Sequence, residues 1–215
     1  MRSIHRYRTI DSTMTAAAGL PLGSVVVADE QTAGQGRHGH SWHSEPGGLY
    51  CSMVLEPRPL LTLALGLATA EAIGIGCDLR WPNDVMIGGK KVAGILVQLV
   101  DGKAIAGIGI NLNQTSFPEA LEATSLRLCT GREVSAKTML ENLLDAVDTF
   151  TALAPEDILR LFTQGSSYAA GRRVVVDGKI EGTTAGLTPD GYLVVRRDDG
   201  TDTLIVAGGV RAAGS

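Results

Sequence analysis

The chain has 215 residues, a length that suits one medium domain with room for a small appended one. Hydrophobic residues make up 44% of it and charged residues 20%, the balance of an ordinary globular protein with a sizeable core. The formal net charge of -4 argues against a general nucleic-acid-binding protein, which would usually be basic.

The cysteines and the apolar segments indicate a cytoplasmic protein. Cys51, Cys77 and Cys129 lack the spacing of a metal site, and their odd number argues against a disulfide framework. We therefore expect reduced thiols, as in the cytoplasm. The longest apolar stretch, residues 60–75, is interrupted by polar residues and is shorter than the roughly 20 residues of a membrane helix. We expect a soluble protein without a membrane partner.

The first two thirds of the chain mix strands with helices. A β-branched run predicts a strand over residues 23–29, and the polar, glycine-rich stretch 31–48 separates it from a second strand over 49–55. Alanine and leucine content predicts a helix over residues 60–74. Glycine turns then divide four predicted strands, over residues 78–81, 85–87, 91–100 and 103–110.

Helices are predicted next, and after them the sequence pattern changes to short strands. We expect a helical turn around residues 118–124, a long amphipathic helix capped by Ser135, and a short helix over 156–162. Short strands with Asp-Gly turns then predict a small all-β barrel, with strands over residues 173–176, 183–187, 192–195 and 203–206. This predicts two domains, over residues 1–165 and 166–215.

The segment from Gly34 to Trp42 is the most informative part of the sequence. Its glycines satisfy G-x-G-x-x-G and nearly satisfy the Walker A spacing, but both motifs require a helix to begin at the loop. The loop instead continues into a Pro-Gly-Gly sequence, and His40 stands at the Walker lysine position. Two interpretations remain: backbone N–H groups and Arg37 that bind an anion, or a mobile surface loop.

Three histidines, His38, His40 and His43, lie in the same loop and raise the question of a metal site. No aspartate, glutamate or cysteine accompanies them within the loop, and flexible glycines preorganise no ligands. We therefore predict polar lining or weak phosphate contact, and no metal site built from a protein cluster.

Three further motifs follow, each ambiguous by itself. The Asn-Asp pair of Arg80-Trp81-Pro82-Asn83-Asp84 fits either a turn or a polar site. Lys91 opens an apolar strand, where a lysine normally extends to solvent. The Gly-Ile-Gly-Ile-Asn sequence over residues 107–111 places two glycines in a strand, which often marks close approach of a ligand or another backbone.

In this order, the arginine-containing glycine loop, W-P-N-D, K-V-A-G-I-L and G-I-G-I-N resemble the motif series of biotin protein ligases. The resemblance covers nearly the whole chain. It implies an α+β fold, with a mixed β-sheet flanked by helices as in class II synthetase-like biotin–lipoate ligase domains, and a small C-terminal SH3-like β-barrel. It also implies an enzyme that uses ATP and Mg²⁺ to convert biotin to biotinoyl-5'-AMP and then attaches biotin to a lysine of a carrier protein.

The resemblance also implies roles for individual residues. Catalytic roles fall to Lys91 and Arg37. The biotin-binding residues would be Ser12, Thr13, Gln31, Gln35, Gly36, Arg37, Lys91, Gly94 and Gly107. The ATP- or adenylate-binding residues would be Arg37, Trp42, Asn83, Asp84, Gly109 and Asn111, with Mg²⁺ entering with ATP near Asp84.

The sequence departs from the family pattern at two positions. Met14 stands where the family has asparagine after Ser-Thr, and Gln35 replaces the first arginine of the loop, which predicts weaker retention of the adenylate. The chain also begins almost at the Ser-Thr motif, so we expect the single-function form without a helix-turn-helix domain and without specific DNA binding. The expected partner is a biotin carboxyl carrier protein of the acetyl- or acyl-CoA carboxylase or pyruvate carboxylase type. We expect the protein itself to be a monomer or a weak homodimer.

Two other functions remain as alternatives. A lipoate protein ligase shares the adenylate chemistry, but its acyl ligand lacks the ureido ring that Ser12, Thr13 and Gln31 would bind. A catalytically silent biotin- or nucleotide-binding module would not need Lys91 together with Arg37.

Overall fold

The computed structural model describes residues 2–213, which pack as two compact units. The first unit contains residues 2–58 and 87–144, and the second contains residues 59–86 and 145–213. This division follows packing within the chain and does not test the domain boundary predicted near residue 165, which stays a prediction.

Strands and helices are mixed along the chain up to residue 164, and the elements after it are strands. In chain order the strands are β1 (Ser3–Ile10), β2 (Ser24–Gln31), β3 (Gly48–Leu55), β4 (Asp78–Arg80), β5 (Asp84–Ile87), β6 (Lys90–Val100), β7 (Lys103–Asn111), β8 (Ala170–Val176), β9 (Ile180–Leu187), β10 (Leu193–Arg196), β11 (Asp202–Ile205) and β12 (Val210–Ala212). The helices are α1 (Thr13–Ala18), α2 (Leu61–Ile73), α3 (Leu126–Thr130), α4 (Ala136–Thr151) and α5 (Pro155–Gln164).

The first unit is built on a mixed sheet in the order β1-β2-β3-β7-β6. β1 and β2 pair in parallel, whereas β2–β3, β3–β7 and β7–β6 pair antiparallel. β3 is buried along almost its whole length, as expected for a central strand. Helix α1 covers one face, where Met14 and Ala17 pack against Val26, Val54 and Ile105.

The second unit combines helices with two antiparallel sheet parts. β4 and β5 form a short hairpin, and α2 packs against α5. The C-terminal strands form a five-stranded antiparallel sheet in the order β11-β10-β9-β8-β12, which we call the C-terminal sheet. The predicted α+β class, with a mixed sheet, flanking helices and a C-terminal all-β region, is confirmed.

Most predicted elements are present within one to three residues. Around residues 118–124 the predicted turn is confirmed only in its first half, where Leu121 N donates to Pro118 O at 2.9 Å. Residues 122–124 run extended beside Lys91, and the next helix begins at Leu126. Ser135 caps α4 as predicted: its Oγ accepts from Thr138 N at 3.3 Å. β1, α1, α3 and β12 were not predicted.

No helix within residues 2–213 is both long and apolar enough to cross a membrane. The three cysteines are free thiols, with Cys51 buried and Cys129 exposed.

Candidate functional site

The start of α1 and the end of β2 meet through a network of neutral polar side chains. Thr13 donates from both its N–H and its Oγ1 to Gln31 Oε1, at 2.8 and 3.0 Å. Because that hydroxyl proton is used, Ser52 Oγ, 2.8 Å away, is the donor to Thr13 Oγ1. Gln31 Nε2 then donates to Ser44 Oγ at 2.9 Å. The network fixes the orientation of the Gln31 amide.

Ser12 stands beside this network but takes no part in it. It occupies the N-cap position of α1 without making a side-chain cap bond, and it is only 1% exposed. Within residues 2–213 its Oγ has no hydrogen-bond partner. A buried hydroxyl without a partner costs free energy, so the arrangement suits a residue whose partner is a bound polar molecule.

The glycine-rich loop folds as a narrow hairpin and not as an open coil. Gln35 and Ser41 form an antiparallel bridge, and Gly36 N donates to His40 O at 2.7 Å. A short 3-10 turn at Arg37–Gly39 closes the tip. At Gly36 a Cβ would lie 2.9 Å from His40 O, so the tight hairpin excludes a side chain there. The half-buried Arg37 is therefore presented by a defined turn.

Two side chains lie directly on the three strand glycines of the first unit. A Cβ at Gly109 would lie 2.4 Å from Trp42 Nε1, and one at Gly94 would lie 2.7 Å from Trp42 Cζ3. At Gly107 the neighbour is Met14, whose Sδ would lie 2.8 Å from a Cβ. The glycines thus admit Trp42 and Met14 to the sheet surface. Met14, the departure from the family pattern, is a core residue that is 5% exposed.

Lys91 is held in the same region of the first unit. Its Nζ lies 5.0 Å from the centroid of the Trp42 ring, within range of a cation–π interaction. Its aliphatic chain also borders Gly94, because a Cβ at that glycine would lie 2.9 Å from Lys91 Cε. Trp42 Nε1 is buried and has no partner within the described residues.

The backbone of Lys91 is fixed from the other side by the segment before α3. Lys91 N donates to Glu122 O at 2.8 Å, and Thr124 N donates to Lys91 O at 2.9 Å. The buried Asn111 amide donates to Thr124 O at 3.0 Å and to Lys91 O at 3.5 Å. The Asn111 amide therefore ties the backbone of Lys91 to that of Thr124.

The second unit carries Asn83 and Asp84 in the turn between β4 and β5. Arg80 donates from Nε and Nη2 to Asp84 Oδ2, at 3.1 and 2.7 Å, and both side chains of this ion pair are 14% exposed. Trp81 is buried, and its indole N–H donates to Gly191 O at 2.8 Å. The two-point contact from Arg80 orients the Asp84 carboxylate.

The structure places Ser12, Thr13, Gln31 and Lys91 with Arg37, Trp42 and the three glycines in the first unit, and Asn83 with Asp84 in the second. Ser44 and Ser52, which complete the Gln31 network, were not predicted from the sequence. Isolated serines carry no spacing signal, so only the folded contacts identify them. Within residues 2–213 no three His, Cys, Asp or Glu side chains are grouped to hold a metal ion, and His43 contacts Glu45 at 3.4 Å.

Comparison with known proteins defines the class. The model of the biotin/lipoate A/B protein ligase family matches residues 6–114. The biotin protein ligase from Aquifex aeolicus, solved in complex with biotin and ATP, superimposes with a TM-score of 0.86 at 32% identity, covering 99% of this chain and 100% of that one. The chain belongs to the biotin/lipoate A/B protein ligase family.

Two proteins named as ligases are also similar to this chain in sequence. The bifunctional ligase/repressor BirA of Bacillus spizizenii is 34% identical over 213 residues, which cover 87% of this chain and 66% of that protein. The biotin–[acetyl-CoA-carboxylase] ligase of Mycobacterium tuberculosis is 33% identical over 132 residues, covering 54% of this chain and 50% of that protein. The chain therefore spans less than two thirds of the length of either relative.

Proposed function

We propose that this protein activates biotin with ATP to biotinoyl-5'-AMP and transfers the biotinoyl group to a specific lysine of a biotin carboxyl carrier protein. The observation that carries the proposal is the placement of Lys91 against Trp42, on glycines of the sheet that also bears the Thr13–Gln31 network. We assign the catalytic domain to residues 1–165 and a C-terminal SH3-like domain to residues 166–215, and we expect the reaction in the cytoplasm.

The first step joins two anions and therefore needs positive charge. An oxygen of the biotin carboxylate attacks the α-phosphorus of ATP, a carboxylate–phosphorus bond forms, and the bond to pyrophosphate breaks. We assign Lys91 and Arg37 to the charge that develops on the phosphate oxygens. In a site closed to water such fixed cations stabilise the transition state more than they would in solution.

Neutral polar groups suit the ureido ring of biotin, which both donates and accepts hydrogen bonds. We assign this recognition to Ser12, Thr13 and Gln31, because Ser12 Oγ is buried without a partner and the Gln31 amide is held in one orientation. The remaining biotin contacts are proposed for Gln35 and Gly36 of the loop and for Gly94 and Gly107 of the sheet. At the two sheet glycines the absence of a Cβ admits Trp42 and Met14, which lie on this part of the sheet.

We assign nucleotide binding to Trp42, Gly109 and Asn111, and we assign the same role to Asn83 and Asp84. Mg²⁺ prefers oxygen ligands and usually keeps phosphates and water in its shell. Asp84 Oδ2 already accepts two bonds from Arg80. We therefore propose that Mg²⁺ enters with the ATP phosphates, near Asp84, and is not bound by a protein cluster.

The second step releases AMP. The neutral amine of the carrier lysine attacks the acyl carbon, an amide bond forms, the bond to AMP breaks, and the amine loses a proton. Until then the mixed anhydride must be kept from water. The hairpin of residues 34–42 is proposed to cover it, with Arg37 at the tip.

The test is mass spectrometry of a carrier domain incubated with the protein, ATP, Mg²⁺ and biotin. We expect the carrier to gain the mass of one biotinoyl group on its lysine, together with pyrophosphate release. Parallel reactions with lipoate in place of biotin separate the two activities that the family name covers. Pyrophosphate release with lipoate only, or with neither acid, would refute the proposal.

A further inference from the structure

The turn between β9 and β10 has a shape that its hydrogen bonds impose. Gly191 N donates to Thr188 O at 2.8 Å, Thr188 N donates to Tyr192 O at 2.9 Å, and Tyr192 N donates to Thr188 Oγ1 at 3.1 Å. Gly191 has a φ of +79°, and a Cβ there would lie 2.5 Å from Leu60 Cδ2. The turn is therefore rigid, and its glycine permits close packing.

Trp81 is attached to this turn through its only donor. The side chain is 3% exposed, and its indole N–H donates to Gly191 O at 2.8 Å. An indole has no second polar group, so this bond to the Gly191 carbonyl fixes where the ring lies. In the sequence Trp81 lies two residues before Asn83 and three before Asp84.

The strand on the other side of Trp81 is fixed by the residues that lead into the C-terminal sheet. Leu79 N donates to Gly165 O at 2.9 Å, and Ser166 Oγ donates to Leu79 O at 2.5 Å. Ser167 donates from its N–H and its hydroxyl to the two carboxylate oxygens of Asp78, at 2.7 and 2.6 Å. β4 and Trp81 are thus bonded to two different parts of the C-terminal region.

We propose that the C-terminal sheet positions the residues that bind ATP, and that Trp81 and Gly191 are the positioning residues. Trp81 and β4 hold the start of the turn, and Arg80 holds Asp84 at its end through the two bonds to Oδ2. The inference rests on the proposed function, because it requires Asn83 and Asp84 to serve the nucleotide. It gives the C-terminal sheet a part in ATP binding, with no part in biotin recognition.

The first test is Trp81→Phe, which keeps an aromatic ring but removes the donor. Loss of one buried hydrogen bond predicts a rise of about 3- to 10-fold in the KM for ATP, with the KM for biotin unchanged. A purely structural role for Trp81 would lower the melting temperature and leave both KM values of the folded fraction as in the wild type. That result would overturn the inference.

A milder pair of variants decides the question if Trp81→Phe does not fold. Thr188→Val removes the hydroxyl that accepts from Tyr192 N in the Gly191 turn. Thr201→Val removes the hydroxyl that donates to Asp199 Oδ1 in the next turn of the same sheet, between β10 and β11. We expect the KM for ATP to rise about 2-fold in Thr188→Val only, consistent with a partial loss of one hydrogen bond.

The outcomes separate this inference from the proposed function. Wild-type protein that forms no biotinoyl-adenylate would refute the proposed function itself. An active wild type, together with equal ATP KM values for Thr188→Val and Thr201→Val, would refute the positioning role alone. A parallel rise in the KM for biotin would also refute it, because biotin is assigned to residues of the first unit.

Discussion

The two compact units hold their candidate residues by different means. In the first, side chains hold side chains: Gln31 is fixed by Thr13 and Ser44, and Lys91 lies against Trp42. In the second, Arg80 fixes the Asp84 side chain, but the residues that lead into the turn are held through backbone, since Trp81 donates to Gly191 O and Ser166 to Leu79 O. Substitutions should therefore alter chemistry directly in the first unit, and act through the shape of a turn in the second.

The units also differ in how they use charge. In the first unit the Lys91 ammonium lies over an aromatic face, with Nζ 5.0 Å from the centroid of the Trp42 ring. The C-terminal sheet instead pairs its charges at the surface, as in Arg173–Asp198 and Arg196–Asp202. Exposed pairs of this kind contribute little to stability. Functional effects should therefore decline in size from Lys91 to the surface pairs.

The largest effect is expected for Lys91→Ala. Removal of a cation from a developing phosphate charge typically raises a barrier by about 2.7 to 4 kcal/mol, a loss of roughly 100- to 1000-fold in the rate of adenylate formation. The measurement is pyrophosphate release at saturating biotin and ATP. Lys90→Ala is the matched control, since Lys90 is the preceding residue, has the same charge and is exposed.

Near-wild-type pyrophosphate release by folded Lys91→Ala would contradict the catalytic assignment. Equal losses of pyrophosphate release in the Lys90 and Lys91 variants would mean that only the overall positive charge matters, and not the position of Lys91. The contrast between the two units in their use of charge would then fail.

The next largest effect is expected for Gly109→Ala. The added methyl group would lie 2.4 Å from Trp42 Nε1, so either the indole or β7 must move. Overpacking of this kind costs about 1 to 3 kcal/mol, and here it should also displace the ring that borders Lys91. We expect lower stability toward urea, measured by tryptophan fluorescence, and weaker binding of biotin and ATP.

Gly19→Ala is the control for that substitution. Gly19 lies at the end of α1 with a φ of -83°, and no atom lies within 4 Å of its would-be Cβ. Wild-type binding in Gly109→Ala would mean that the Trp42 position is irrelevant to ligands, and that the glycine serves folding alone.

A smaller effect is expected at Gln35, where the sequence predicted weaker retention of the adenylate. Gln35 Nε2 donates to Thr15 Oγ1 at 3.2 Å, and its Oε1 accepts from Gln98 at 3.5 Å. These contacts join the hairpin to α1 and β6, so Gln35→Ala should speed dissociation of biotinoyl-adenylate by about 2- to 10-fold, the range for one hydrogen bond.

A double-mutant cycle with Thr15→Val isolates this contact. If Gln35 acts through Thr15, the second substitution adds little to the first. Independent, additive changes in the dissociation rate would show that the Gln35–Thr15 bond does not hold the loop.

The parts of this protein that were predictable from sequence are those with a period or a spacing. β-branched runs identified β2, β3, β6 and β7, and the spacing of Asp-Gly turns identified the C-terminal sheet. β1 was missed because an exposed edge strand can carry charged side chains such as Arg6 and Arg8, which hide its period. The predicted turn around residues 118–124 ends at Leu121, because backbone pairing of residues 122–124 with Lys91 overrides local preference.

For the candidate site, the sequence identified residue types but not their neighbours. Gly94 and Gly109 were interpreted as room for a ligand, and the structure places Trp42 on both. No pattern indicated that Met14 would fill the space above Gly107, or that Trp81 would bond to a residue 110 positions away. Contacts between distant segments depend on the whole fold, and a single sequence without regular spacing does not encode them locally.

The smallest effect is expected at the surface of the C-terminal sheet. Hydrogen bonding to Arg173, together with the attraction of its charge, lowers the pKa of Asp198 below its usual value. A carboxyl whose folded pKa is depressed adds stability above its unfolded pKa of about 3.9, and this contribution disappears as the pH falls through the lower folded value. Asp198→Asn should therefore melt slightly below the wild type at pH 7, and the gap should close in acid. Asp101→Asn, at an exposed aspartate in the turn between β6 and β7, is the control for loss of a negative charge. Thermal melts of the three proteins between pH 7 and pH 2 measure the gap, and adenylate formation at pH 7 should be equal in all of them. A gap that widens toward acid would reverse the sign argued here, and loss of adenylate formation in Asp198→Asn would extend the positioning role of the C-terminal sheet to its surface ion pairs.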